Sequence, residues 1–394
     1  MTKWIKNIPE GTKDGLFEDC KIKRKAESAL KEGFEKMGYN EIITPSIEFF
    51  DVFFQQEGFD AESMYKLFDS KNRLLVLRPD CTTPIARVVS TRLKDAPLPL
   101  RLYYNQNIFR TNDNFNGKRD EVTQCGVELI GAKGIKADVD IIASAVISLK
   151  RCYGENFKIE IGHEGLFNSL VQTGNIEKED EERIRRYIEN KNIASLNNLL
   201  KKYGDASSVL RLLPKLFGGI EVIDEALKEI KDKKAVEIVN YLKNIYDELK
   251  NLGLEKYIMI DLGLIHKINF YTGIIFRGYI EGSGLTVLSG GRYDTLLSKF
   301  GYNLPATGFA VNVDAIVENI KINNGISENK TDIIIFYENG FANKAYACMK
   351  EYIEKGLICE MAVCETLDEA KKYALSKKIC KIKVVSESIQ NIEI

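Results

Sequence analysis

Apolar residues recur at three- and four-residue steps between positions 16 and 37, where Ile22, Ala26, Ala29, Leu30, Phe34 and Met37 share one face. That period predicts an amphipathic helix, and Gly38 supplies its stop. A short strand, Glu41-Ile-Ile-Thr-Pro45, follows and halts at its proline. Two more strands are expected at 63–69 and 73–78. Thr82 or Thr83 then caps a helix running to about Lys94, with Pro84 in its first turn. After Pro97 and Pro99, the runs 100–110 and 122–130 read as long strands joined by the polar loop 111–120. A helix over 138–152 and a strand over 157–162 complete this region.

Between 165 and 250 the strand signal nearly vanishes and charged helical pattern takes over, which marks an inserted helical subdomain. Strand patterns resume at 257–262, 270–280 and 285–289. Gly290-Gly-Arg-Tyr-Asp294 then reads as a tight turn into a helix, with helices near 294–300 and 310–320. The run 323–330 is a linker by composition, and 331–394 alternates strand and helix as a small α/β domain. An antiparallel hairpin flanked by helix–strand units, with a separate tail, makes the fold class α+β. The expected division is 1–325, with the helical insertion at about 165–250, and 331–394.

Composition narrows the function classes. With 394 residues, 44% of them apolar and 29% charged, the chain has material for two or three packed domains. No run approaches the ~20 apolar residues of a membrane span, and the first ten residues lack the apolar core of a signal peptide. The expected compartment is the cytoplasm. Fifty-six basic residues meet fifty-seven acidic ones, so no overall basic bias invites nucleic acid. Eight scattered cysteines without a C-x-x-C pair, and only two histidines, make a structural zinc site an unexpected outcome. The cysteines read as buried, reduced thiols. His163, at a predicted strand end, reads as a structural histidine. So few histidines leave no Ser-His-Asp or Cys-His set.

Asp80 and Glu128 are placed on strand ends or loops with Thr82 and Gln124 beside them. Carboxylates among neutral acceptors suit an ammonium group and a polar ring with N–H donors. Arg110, where the hairpin opens, has the fork that grips a carboxylate or phosphate. Taken singly, Asp80 and Glu128 would pass for ordinary surface acids and Arg110 for a surface cation.

Three segments carry more because of their order and spacing. Leu77-Arg-Pro-Asp-Cys-Thr82 comes first, then Ile108-Phe-Arg110 with Gln124-Cys-Gly-Val-Glu128, then Gly290-Gly-Arg-Tyr-Asp294 with Gly308-Phe-Ala310. Together they resemble the catalytic domain of histidyl-tRNA synthetase, a class II aminoacyl-tRNA synthetase, over about 1–325. The resemblance implies an antiparallel sheet core with a helical insertion. The tail resembles a truncated anticodon-binding domain. It also implies that Asp80, Thr82, Arg110, Gln124, Glu128 and Tyr271 form a histidine pocket. Within it, Asp80 and Thr82 hold the amino group, and Asp80 stands where the synthetase has glutamate. Arg110 contacts the α-phosphate and the aminoacyl carboxylate, Gln124 and Glu128 flank the amino acid, and Tyr271 lies near the imidazole.

The departures concern ATP. Adenylation develops negative charge on phosphate and needs cations aimed at it. In the synthetase, one arginine precedes the paired tyrosines; here His266-Lys-Ile-Asn-Phe-Tyr271 puts His266 in that place, with Lys267 adjacent and Asn269 for an aspartate. A second arginine, in the third class II motif, is Ala315. Asn112 replaces a glutamate, Val122 the aromatic that packs on adenine, and Asp120 an arginine, although Arg119 is next to it. The tail from 331 to 394 holds nine lysines and no arginine against ten acids, a poor surface for RNA phosphates.

A kept histidine pocket beside a dismantled ATP site is similar to the family of ATP phosphoribosyltransferase regulatory subunits, synthetase paralogues of histidine biosynthesis. That resemblance implies a non-catalytic protein without cofactor or metal. Its expected partners are L-histidine and a short-form ATP phosphoribosyltransferase catalytic subunit. The segment ending Thr44-Pro45 resembles the class II dimer motif, so a homodimer is expected within a hetero-octamer. The alternatives are a divergent histidyl-tRNA synthetase and a class II-like ATP-dependent amino-acid ligase.

Overall fold

The computed structural model describes residues 5–54, 61–112, 119–265, 270–324 and 331–394. His266, Lys267 and Asn269 lie outside the described residues. The described chain divides into two units, Met1–Gly325 and Ile326–Ile394.

The first unit is built on a large sheet. Its described strands run in the order Asn40–Glu41, Leu100–Phe109, Glu121–Ile130, Ala306–Asn312, Thr286–Arg292, Ile274–Ile280, Phe157–His163, Ile258–Asp261 and Phe217–Gly218. Two pairings are parallel, Asn40–Glu41 on Leu100–Phe109 and Phe157–His163 on Ile258–Asp261; the remainder are antiparallel. Strand alternation sends Cys125, Val127 and Leu129 to one face. There they meet Ala26, Leu30 and Phe34 of the helix Glu18–Lys36 and Ile141, Ala145 and Leu149 of Ile135–Cys152. Gln124, Gly126 and Glu128 consequently point to the other face. The insertion holds the helices Glu164–Thr173, Lys178–Glu189, Ile193–Leu200, Glu221–Glu229 and Lys233–Asn251. A small sheet of Ile47–Phe49, Leu74–Leu77 and Lys66–Phe68 lies in this unit too.

Several expectations need correction. Gly290-Gly-Arg292 is not a turn; it is the end of the strand Thr286–Arg292. A Cβ on Gly290 would overlap the Gly308 carbonyl and the Phe276 ring, and one on Gly291 the Tyr271 ring. These glycines let neighbouring groups approach the sheet. The strand Ala306–Asn312 takes the start of the helix expected at 310–320, which begins instead at Val313. The element near 294–300 is a short 3-10 turn, Leu297–Phe300. Of the strand expected over 41–45, only Glu41 lies in the observed strand, Asn40–Glu41. The helix Thr82–Thr91 is not capped by Thr82 or Thr83, because the Asp80 carboxylate accepts the Thr83 N–H at 2.7 Å. Of the eight cysteines, Cys20 and Cys380 are exposed.

The second unit has a sheet in the order Cys359–Met361, Ile333–Tyr337, Lys381–Val385, Ile389–Glu393. The first three strands are parallel, and the last, absent from the sequence reading, is antiparallel. Helices Ala342–Glu354 and Leu367–Ser376 pack on it.

Candidate functional site

The face of the large sheet that carries Glu128 is paved with small residues. Register sets Glu128 between Leu102 and Gly308, and Gly126 between Tyr104 and Ala310. A Cβ on Gly308 would overlap the Glu128 carboxylate and the Val127 carbonyl. The missing side chains open a cleft of about 540 Å³ including the solvent at its mouth. Asp80, Thr82, Arg110, Gln124, Glu128 and Tyr271 all line it, with Tyr104, Phe270, Ser289, Tyr293 and Phe309. Gly308→Ala should destabilise the protein by roughly 1–3 kcal/mol through overpacking, which urea unfolding will measure; a variant as stable as the parent contradicts this packing.

Glu128 is the centre of the cleft. It is 1% exposed and sits within a strand, not at a strand end or in a loop. Thr82 Oγ1 donates to its Oε1 at 2.7 Å, and the Tyr293 hydroxyl donates to Oε2. No cation pairs with it among the described residues. Burial without a counter-charge pushes its carboxyl up to about 8, against the two hydroxyl donors that favour the ionised form. The site therefore presents an acidic acceptor that gains from any N–H donor placed beside it.

The other walls follow from their elements. Asp80 sits just before the helix Thr82–Thr91, and both its oxygens serve Thr83, through N–H at 2.7 Å and Oγ1 at 3.0 Å. Burial raises its carboxyl despite these bonds and the nearby Arg110 charge. Arg110 is anchored by Nε donating to the Pro79 carbonyl at 2.6 Å. Its terminal nitrogens make no hydrogen bond to another described residue, so the fork serves the cleft. Arg78, in the same segment, is structural: it donates to the carbonyls of Asn107 at 2.7 Å and Thr44 at 2.8 Å.

The positions that would serve a nucleotide are differently furnished. Ala315 is 7% exposed, packs in the core, and donates its N–H to Asn312 Oδ1 at 3.0 Å. The neighbouring cations are engaged by acids: Arg119 pairs with Asp314 at 3.2 Å and with Glu318, and Lys23 pairs with Asp314 at 3.0 Å. Asp120 accepts from the Tyr65 hydroxyl at 2.6 Å and from Asn112 Nδ2 at 3.0 Å. Val122 packs against the Ile85–Val89 cluster.

Tyr104, Phe270 and Ser289 carry no signal of their own in the sequence, because aromatic residues in strand patterns read as core, and Tyr293 stands there only as a member of the glycine-rich run Gly290–Asp294. Its hydroxyl on Glu128 needed the register to be seen. His163 is structural: Nδ1 accepts the Gly165 N–H at 3.0 Å at the start of Glu164–Thr173, and burial lowers the ring to about 4. Among the described residues no group of His, Cys, Asp and Glu is arranged to hold a metal ion, and no helix is long and apolar enough to cross a membrane.

Comparison with known proteins bears on the same region. Residues 11–316 match the histidyl-tRNA synthetase family. A Clostridium kluyveri protein described as an ATP phosphoribosyltransferase regulatory subunit is 43% identical over 391 residues, spanning 98% of this chain and 100% of that protein. A crystal structure from Bacillus halodurans, described as an ATP phosphoribosyltransferase regulatory subunit/histidyl-tRNA synthetase, has a TM-score of 0.84 at 32% identity. It covers 94% of this chain and 97% of its own. Histidyl-tRNA synthetase from Nostoc shares the fold, with a TM-score of 0.79 at 18% identity over 99% of this chain and 97% of that one.

Proposed function

We propose that this chain, which belongs to the histidyl-tRNA synthetase-like family of ATP phosphoribosyltransferase regulatory subunits of histidine biosynthesis, binds L-histidine in the cleft around Glu128. Occupancy then governs a separate short-form catalytic subunit, which the regulatory chain activates and through which histidine exerts feedback inhibition. The observation that carries this reading is the buried Glu128 carboxyl, held by Thr82 and Tyr293 with no described cation to neutralise it. A ligand bringing ammonium and imidazole N–H groups supplies the missing donors. Arg110 takes the ligand carboxylate, and Tyr271 and Gln124 close the sides. Asp80 and Thr82 face the amino group.

The chain does not itself adenylate histidine in this reading. A methyl group at Ala315 offers nothing to a triphosphate, and the charges of Arg119 and Lys23 are met by Asp314 and Glu318. Transition-state charge on phosphate would lack its cations. Histidine acts as an effector: it binds one state of the assembly more tightly and shifts the population toward it. A homodimer within a hetero-octamer in the cytoplasm is the proposed setting.

Thermal unfolding tests the pocket. L-histidine at about a hundredfold excess over its Kd should raise the melting temperature by roughly 3–5 °C, whereas ATP–Mg should leave it unchanged. Absence of a histidine shift, or histidine-dependent ATP–pyrophosphate exchange by the isolated chain, would overturn the reading.

A further inference from the structure

A second cavity lies on the large sheet and shares no lining residue with the Glu128 cleft. Its floor is Glu160, Asp261 and Arg277, from three neighbouring strands in which Arg277 is directly opposite Glu160. Lys191 and Glu189 reach it from the end of the helix Lys178–Glu189 and beyond. Ile188, Pro214, Leu264 and Ile265 supply apolar wall.

Its charges are poorly matched to one another. Asp261 is 6% exposed; its Oδ1 accepts the Gly263 N–H at 2.8 Å, and Oδ2 has no hydrogen-bond partner among the described residues. Neither Asp261 nor Glu160 has a described cation within ion-pair distance. Arg277 donates instead to the Ile265 carbonyl at 2.6 Å and stands 3.9 Å from Glu189. The Lys191 ammonium sits over the Phe217 ring at 4.4 Å. Lys191 also occupies a left-handed position, φ 52°, after its helix, where glycine is the usual choice. The carboxylate of a residue only 6% exposed thus turns one oxygen to an open cavity that has its own cations, where a donor from outside the chain can meet it.

We propose that this cavity binds a basic α-amino acid. The ammonium groups go to Asp261 and Glu160, the α-carboxylate goes to Arg277 and Lys191, and the methylene stem lies on the apolar wall. Three carboxylates against two cations suit a ligand with one net positive charge. A metal ion is disfavoured because no described acidic group converges to hold one. The proposal does not depend on what fills the first cavity.

Burial raises the Glu160 carboxyl to about 7, with Asp261 adding to the rise. Lys191, Arg277 and the Tyr279 hydroxyl oppose it, and Glu189 faces the same space. An ammonium ligand favours the ionised carboxylate, so affinity should climb between about pH 6 and about pH 8.

Titration calorimetry of the full chain carrying Glu128→Gln, which silences the first cavity, tests this with L-lysine as the probe and L-glutamate as the contrast. L-lysine should bind and L-glutamate should not. Asp261→Asn keeps an acceptor for Gly263 and should weaken L-lysine binding roughly tenfold to a hundredfold. If that variant fails to fold, Glu160→Gln should weaken binding and flatten its pH dependence. No heat from L-lysine up to about 10 mM, or binding that neither substitution changes, overturns the proposal.

Discussion

Glu128→Gln should remove most of the stability that the ligand-free protein loses between about pH 5 and about pH 8. The carboxyl is raised from 4.5 to about 8 by burial, so the folded state holds this proton more tightly than the unfolded chain. Its contribution is complete below pH 4.5 and is lost as pH rises through 8. The full difference corresponds to roughly 5 kcal/mol. The amide cannot ionise, yet its oxygen still accepts from Thr82 or Tyr293, so the fold survives and the slope shrinks. Asp80, Glu160 and Asp261, also raised by burial, add a slope of the same sign, and His163, lowered to about 4, adds an opposing one up to about pH 6.5, both of which remain in the variant. A bound ammonium or imidazole N–H favours the ionised carboxylate. Histidine should therefore stabilise the parent more at about pH 8 than at about pH 6, and the variant little at either. Urea unfolding across this range decides it: an unchanged slope, or a full histidine response in the variant, rules out Glu128 as the centre of the pocket.

Arg292→Met should cost roughly 3–5 kcal/mol. Arg292 donates to Asp138 Oδ1 from Nε at 2.9 Å and from Nη2 at 2.6 Å, and to the Ala132 carbonyl from Nη1 at 3.2 Å. Asp138 is fully buried and also accepts from the Tyr241 hydroxyl at 2.6 Å. One carboxylate thus joins the helix Ile135–Cys152, the insertion helix Lys233–Asn251 and the strand that ends one residue before Tyr293. Removing the guanidinium leaves that charge buried and unpaired. Arg292→Met with Asp138→Leu should be more stable than Arg292→Met alone, because no orphan charge remains. If the single substitution costs under about 1 kcal/mol, the pair is not the brace described.

The hairpin strands Leu100–Phe109 and Glu121–Ile130 were legible because alternation and length agree across ten residues. The helices Lys178–Glu189 and Lys233–Asn251 were legible from their charge-rich 3.6 period. Thr286–Arg292 was misread at its end, since paired glycines look like a turn; they are small so that Phe276 and Tyr271 can close on the sheet. Ile389–Glu393 was missed because its exposed edge carries polar residues and little apolar alternation. The six candidate pocket residues converge on one cleft, yet periodicity could not have assembled them. They come from a helix start, a strand end, the middle of a strand and a loop. Resemblance joined them, and register then explained why Gly308 must face Glu128. Asp80 shows the reverse: read as a ligand acid, it also caps a helix through Thr83.

The most direct measurement is phosphoribosyl-ATP formation by a purified short-form catalytic subunit with this chain added, in the presence and absence of L-histidine. The account predicts that the chain raises the rate, that histidine suppresses it, and that Glu128→Gln keeps the activation while losing the suppression. A catalytic subunit indifferent to the chain, or histidine inhibition undiminished by Glu128→Gln, would contradict it.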